Sequence, residues 1–339
     1  MKIIILADFK VSEDSDFWIR EELQQLGYTT ELLGIQDYDP KDDTTRLGKI
    51  RIWIKYFKLA AKGLRLAGKE DVLISDNFVI GAITAFLGHI RGRQRKVIGL
   101  NMIAHEKGIF NRLFRKVVYN TAFRNQGFWF SVNDQQLINL YAKEFKFPAE
   151  RVFVLHDPFF KSDEQADFTG EGEYVFTGGD AYRDWDGVIS CANELPHIRF
   201  VGVARKKYFP AHATLPANLK MYFDTTQDVF YDLLKKSRLV FLPLNSKAPC
   251  GLIVMMKAAL LSKPVVISET PSTQNYIQDK VSGRLLALHD RAGMKEALSA
   301  LYVSRDMQSG YAGELKEYIL THFSTKSAMK KIESIISKQ

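Results

Sequence analysis

Short apolar runs recur along the chain, with longer segments of helical period between them. Residues 2–7 (KIIILA) read as a buried strand, 17–26 as a helix stopped by Gly27, and 29–33 as a second strand. The runs at 71–75, 96–100, 128–132 and 151–155 read as further strands. Strands separated by ten or more helical residues cannot pair as hairpins. The pattern therefore predicts a parallel sheet with helices on both faces.

The stretch 160–173 (FKSDEQADFTGEGE) is acidic, contains glycine and is poor in aliphatics, which suggests a linker. Beyond it the alternation restarts, with strands at 174–177, 198–203, 239–242 and 264–268 and a helix through 189–194. Two successive doubly wound domains account for this most simply: 1–160 and 174–320, joined by 161–173, with 321–339 as a closing segment. No period of 20–50 residues recurs, which excludes a solenoid.

At 339 residues, with 46% apolar and 25% charged positions, the chain has enough hydrophobic material for two cores and is far from the profile of disorder. Its two cysteines, Cys191 and Cys250, support neither a disulfide framework nor a zinc site, and point to a reducing compartment. The opening run 1–6 is too short for a secretory signal, and no run reaches the ~18 apolar residues of a spanning helix. A cytoplasmic protein is the expectation.

The net charge of +8 is unevenly placed: residues 46–125 hold 17 Lys or Arg against 4 Asp or Glu, so the remainder is net acidic. Within 49–69 there is no acidic residue, and Arg51, Lys55, Lys58, Lys62, Arg65 and Lys69 recur at steps of three and four. On a helix they form one stripe beside an apolar face of Ile50, Trp53, Ile54, Phe57, Ala61 and Leu64. Such a helix suits the plane of an anionic membrane surface, and Arg91, Arg93, Arg95, Lys96, Arg112, Arg115 and Lys116 would extend the patch. No RNP, zinc-finger or interleaved aromatic pattern accompanies the charge, so nucleic acid is not the expected partner.

Residues 250–290 (CGLIVMMKAALLSKPVVISETPSTQNYIQDKVSGRLLALHD) resemble the donor half of family 4 type retaining glycosyltransferases. The likeness rests on a Gly-containing loop opening a helix, on Lys263-Pro264-Val265-Val266, and on Gly283-Arg284-Leu285-Leu286 with Asp290. The run VFTGGDAYR at 175–183, followed by Asp184-Trp185, is similar to the first strand and loop of the second domain in one branch, and HFSTKSAMKKIESII to the closing helix. The resemblance covers 174–339 and implies the GT-B architecture: two facing Rossmann-like domains, with a C-terminal helix crossing back to the first. It also implies a nucleotide-diphosphate sugar as co-substrate, UDP-sugar above others, no metal, and front-side substitution with retention. One departure is plain. The family places two glutamates, one for sugar hydroxyls and one for the ribose, where this chain has Pro249 and Lys257.

The residues themselves suggest where a diphosphate would sit. Gly251, between a strand and a helix starting near Leu252, would admit a phosphate to the amides, with Lys247 adding charge; an ordinary strand-to-helix turn is the plainer alternative. Gly178 and Gly179 end another strand, and Arg183 follows; the resemblance makes this arginine a diphosphate clamp, the alternative being a surface pair with Asp184 or Asp186. Ser272 and Thr273 offer hydroxyls at the carboxyl edge of the sheet and are also expected to cap a helix starting near Gln274. With Leu252 and Lys257 these form the expected donor site. His105 stands where family members carry a histidine facing the sugar, which makes it the candidate catalytic residue. An inverting enzyme using His105 or a first-domain carboxylate as base stays open.

Together the two signals suggest a glycosyltransferase of cell-surface polysaccharide synthesis, peripheral at the inner face of the membrane. It would act on a lipid-linked oligosaccharide or glycolipid acceptor. The alternative is a non-catalytic relative that binds nucleotide sugars or serves as a membrane-surface scaffold.

Overall fold

The computed structural model describes residues 1–11, 17–35, 46–103, 109–160, 163, 165–180 and 182–338. The chain forms two units: the first joins residues 1–156 to 325–339, and the second spans 157–324.

In the first unit, β1 (Lys2–Ala7), β2 (Thr29–Gly34), β3 (Val72–Ser75), β4 (Lys96–Gly99), β5 (Phe128–Val132) and β6 (Val152–Val154) make one parallel sheet in the order β2-β1-β3-β4-β5-β6. In register, Ile4 lies opposite Glu31 on one side and Leu73 on the other. The period of two then sorts β1 between two cores. Ile4 and Leu6 face α2 (Arg46–Leu66), α3 (Phe78–Ile90), α4 (Ile109–Ala122) and α5 (Gln135–Ala142). Ile3 and Ile5 face α1 (Trp18–Gln25) and α11 (Thr325–Ile336). Each fully buried isoleucine contributes ~2 kcal/mol of transfer free energy, which is why this strand reads as an unbroken apolar run.

The C-terminal helix is held to the first unit by polar bonds as well. Thr325 Oγ1 donates to Glu22 Oε1 at 2.6 Å, and Lys96 Nζ donates to the Ile336 carbonyl at 2.9 Å and to that of Lys338. A cation at the carbonyl end of a helix is favourable, and it takes Lys96 out of the expected basic patch.

The second unit repeats the plan with β7 (Val175–Gly178), β8 (Phe200–Ala204), β9 (Leu219–Phe223), β10 (Leu239–Leu242), β11 (Val265–Ser268) and β12 (Arg284–Leu286), ordered β12-β11-β10-β7-β8-β9 and parallel throughout. One face packs on α7 (Gln227–Lys235), α8 (Leu252–Leu260) and α10 (Arg305–His322), the other on α6 (Trp185–Glu194) and α9 (Arg291–Val303). The sequence pattern left out β9 and β12. These are the two edge strands, and neither carries a continuous apolar run.

The chain passes between the units at 156/157 and 324/325, whereas the sequence suggested a linker over 161–173. Described residues of that stretch lie along the second unit. The Ala166 carbonyl accepts from Ser262 Oγ at 2.6 Å and Lys316 Nζ at 3.0 Å. In both sheets the connections reverse direction once, between β1 and β3 in the first and between β7 and β10 in the second. Loops leaving the carboxyl ends of such strand pairs diverge and open a crevice.

Candidate functional site

At the reversal point of the second sheet, the loop after β7 and the loop after β10 are tied to each other. The Asn245 amide donates to the Tyr182 carbonyl and the Asp184 amide to the Pro243 carbonyl, both at 2.9 Å, and Arg183 bridges Leu244. This pairing carries Arg183 across to the start of α8. Its Nη1 lies 3.9 Å from where a side chain on Gly251 would begin, and its Nη2 3.1 Å from the same point on Gly179. Gly178, Gly179, Arg183 and Gly251 thus meet at one sheet edge.

The Arg183 side chain is buried, 4% exposed. Nη2 donates to the Gly178 carbonyl at 2.5 Å and Nη1 to the Pro243 carbonyl at 3.3 Å. Nε is buried without a partner, and among the described residues no carboxylate lies within ion-pair distance. Burial pushes its pKa down to about 10, still well above neutrality, with smaller opposing effects from Cys250 and Asp180. The same low-dielectric pocket pushes the Cys250 thiol up to about 11. A charged guanidinium in this setting, paired only with carbonyls, is under-neutralised and attracts an anion.

Gly251 is the N-cap of α8 with φ 77°, a left-handed conformation that suits glycine, and no side chain caps the helix there. The amides of the first turn therefore point out of the helix end unbonded by any capping group. Leu252, buried at 3%, contributes its backbone to that turn, and Lys247 is exposed in the loop before it. Lys257 is differently engaged. Its Nζ pairs with Asp163 Oδ1 at 2.5 Å and lies 4.3 Å above the ring of Tyr231. Burial lowers its pKa, but the Asp163 bond and charge more than offset this, so it stays firmly protonated and committed to that pair.

The loop after β11 is a tight turn into a short helix, Thr273–Asn275. Thr270 and Thr273 make the capping bonds: Thr273 Oγ1 accepts from the Thr270 amide at 2.8 Å and donates to the Ser268 carbonyl at 2.9 Å, while Thr270 Oγ1 accepts from the Thr273 amide at 3.1 Å. Ser272 was expected to cap and does not. Its hydroxyl is fully buried and has no partner. Thr273 is accordingly spent on the turn, and Ser272 Oγ is enclosed beside it.

No family model matches the sequence, and no curated protein matches it. Solved structures do. The Anabaena protein HepE in complex with UDP superposes with a TM-score of 0.72 at 15% identity, over 99% of this chain and 100% of that one. A glycosyltransferase from Rickettsia africae gives 0.67 at 10%, covering 99% and 98%. WaaG, a glycosyltransferase involved in lipopolysaccharide biosynthesis, gives 0.65 at 14%, covering 99% and 100%. The chain has the GT-B fold.

In this GT-B chain Asp184 serves the framework. It caps α6 through the Gly187 amide at 3.0 Å and receives two bonds from Arg291, at 2.6 and 3.1 Å, so it does not pair with Arg183. Burial alone would raise the Asp184 carboxyl, but the Arg291 and Gly187 bonds hold it below the usual carboxylate range. At the corresponding reversal of the first GT-B sheet, Asp8 follows β1 and Asp76 follows β3. Asn77 caps α3 and donates to Asp8 Oδ2 at 2.8 Å. Burial first and Asp8 second push the Asp76 carboxyl up to about 8, and its Oδ1 is buried without a partner. The sequence reading had no signal for this carboxyl beyond its place at a strand end. The candidate catalytic residue His105 lies outside the described residues.

The structure also redraws the basic helix. Trp53, Phe57, Ala61 and Leu64 belong to the core face of α2, not to a second exposed face. Arg51, Lys58, Lys62 and Arg65 are exposed and Lys55 is half-buried. Beside them Ile50 and Ile54 stand 57% and 49% exposed. Among the described residues no helix is long and apolar enough to cross a membrane.

Proposed function

We propose that the protein is a glycosyltransferase that moves a sugar from a nucleoside-diphosphate sugar, a UDP-sugar above others, to a lipid-linked glycan or glycolipid in cell-surface polysaccharide synthesis, with retention. The observation that carries this is the buried Arg183, with no carboxylate of the described residues within ion-pair distance, beside the uncapped start of α8 at Gly251. The fold neighbour HepE has been seen with UDP and with UDP-glucose, which supports the choice of base.

The chemistry follows from charge. When the bond from the sugar carbon to the diphosphate oxygen breaks, negative charge grows on the β-phosphate. Fixed donors already aimed at that position lower the barrier, because they need no reorganisation. Arg183 supplies the formal charge and the first turn of α8 supplies amides and about half an elementary charge of dipole. In front-side substitution the departing oxygen helps take the acceptor proton, so no protein nucleophile is required. Arg183→Ala should abolish transfer and weaken UDP binding by about two orders of magnitude while the protein stays folded; unchanged turnover would refute the assignment.

The acceptor side rests on α2. Its outward cations and the two exposed isoleucines suit a helix lying at the surface of an anionic leaflet. A second reading, a nucleotide-sugar-binding relative without transferase activity, draws on Pro249 and on the Lys257–Asp163 pair, which stand where the family places its two glutamates. UDP binding with neither hydrolysis nor transfer to any lipid acceptor would favour it.

A further inference from the structure

The turn that carries Ser272 runs into Tyr276, whose side chain is fully buried. The Tyr276 ring stacks on Phe323, with centroids 4.3 Å and planes 23° apart. Its hydroxyl oxygen accepts a 2.9 Å hydrogen bond from the Asp157 amide. Asp157 is the first residue of the second unit and Phe323 the last but one, so these partners stand where the chain enters and leaves it. The two passages are also joined to each other: the Phe159 amide donates to the Phe323 carbonyl at 2.8 Å, and Phe159 bridges Ser324. One tyrosine therefore touches both passages.

The same residue is fixed from its other side by the turn. The amides of Tyr276 and Ile277 both donate to the Thr273 carbonyl at 3.1 Å, and that of Gln274 donates to the Thr270 carbonyl at 3.2 Å. Thr270 and Thr273 lock each other through their hydroxyls. Between Ser272 and Tyr276 there is no slack, and close-packed interiors pass on small displacements.

Taking the donor-site reading of residues 270–273 as its basis, we propose that Tyr276 is a positioning residue that couples occupancy of this turn by a nucleoside diphosphate to the freedom of the two chain passages. A diphosphate seated against the 270–273 turn stiffens it, the turn fixes the tyrosine, and the tyrosine holds Asp157 and Phe323. Such coupling is reciprocal: passages already held still raise affinity for the ligand.

Amide hydrogen exchange with and without UDP tests this in the wild type and in Tyr276→Phe, which keeps the ring and removes the hydroxyl; calorimetry gives UDP affinity in parallel. In the wild type, UDP should slow exchange at Asp157 and Phe159 by at least about fivefold. In Tyr276→Phe, UDP should bind within about threefold of the wild-type affinity and still protect 178–183, yet lose its protection of 157–159. Equal protection in both proteins, or none in a UDP-bound wild type, would overturn the coupling. A wild type that binds no UDP overturns the donor-site reading, and the coupling with it. Should Tyr276→Phe melt early, Phe323→Leu weakens the same link from the other side with the same expected result.

Discussion

Arg183 and Asp184 are consecutive in the chain, yet their side chains answer to different partners: Arg183 to the Gly178 and Pro243 carbonyls, Asp184 to Arg291 and the start of α6. The division of labour leaves the guanidinium without a paired carboxylate among the described residues and makes Asp184–Arg291 a structural pair. Asp184 is 5% exposed and Arg291 33%. Arg291→Ala should therefore cost about 2 to 3 kcal/mol in chemical denaturation, somewhat below the loss for a fully buried pair. Because the Asp184 carboxyl is held low in the folded protein, this stability is present above the unfolded carboxylate pKa near 4 and is lost as pH falls below it. Arg291→Ala should flatten that acid limb; an unchanged profile would argue against the pair's importance.

Asp76 has the opposite sign. Its folded pKa of about 8 exceeds the unfolded value near 4. The unfolded chain releases this proton first, so stability declines as pH rises from 4 to 8, by about 1.4 kcal/mol per unit from this group alone. Asp76→Asn should remove the decline and raise the melting temperature at pH 8 more than at pH 5. A gain of equal size at both values would contradict the assignment.

Gly251 separates backbone conformation from space. A methyl group there would meet nothing closer than Leu244 at 3.6 Å, but at φ 77° an L-residue is strained by roughly 1 to 2 kcal/mol. Gly251→Ala should lose stability of that order and weaken UDP binding about tenfold as the first-turn amides of α8 shift. Gly27→Ala, with φ 84° and open space around it, should show a similar stability loss and no change in UDP affinity.

The membrane reading makes a separate demand. Replacing Lys58, Lys62 and Arg65 with Glu should reduce binding to phosphatidylglycerol vesicles by more than about a hundredfold, given ~1 kcal/mol for each cation near an anionic leaflet. Phosphatidylcholine vesicles should hold neither protein. Undiminished binding by the triple variant would exclude this face as the docking surface.

Much of the fold was legible because parallel strands covered on both faces must be apolar throughout: the KIIILA and LVFL runs announce themselves. β9 and β12 escaped because Lys220 interrupts the one and the other offers only Leu285 and Leu286 after Arg284. Gly178 and Gly179 were legible at a strand end and Gly251 at a helix start; that Arg183 reaches between them was not. Ser272 and Thr273 were legible as hydroxyls near a helix start, but not that Thr273 alone of the two would bond into the turn, which depends on which hydroxyl faces the Ser268 carbonyl.

Order along the chain determined that there would be two parallel sheets, that glycines would end strands near a helix start, and that one helix would be basic, because these are consequences of local period and composition. What only the tertiary structure decided were the pairings between residues far apart in sequence. Lys257 was claimed by Asp163 rather than left to a ligand, Asp184 by Arg291, and Asp157 and Phe323 by Tyr276. Charge and hydrogen-bonding capacity are written in each residue, but which partner satisfies them is a matter of distance, and distance between remote residues exists only once the chain has packed.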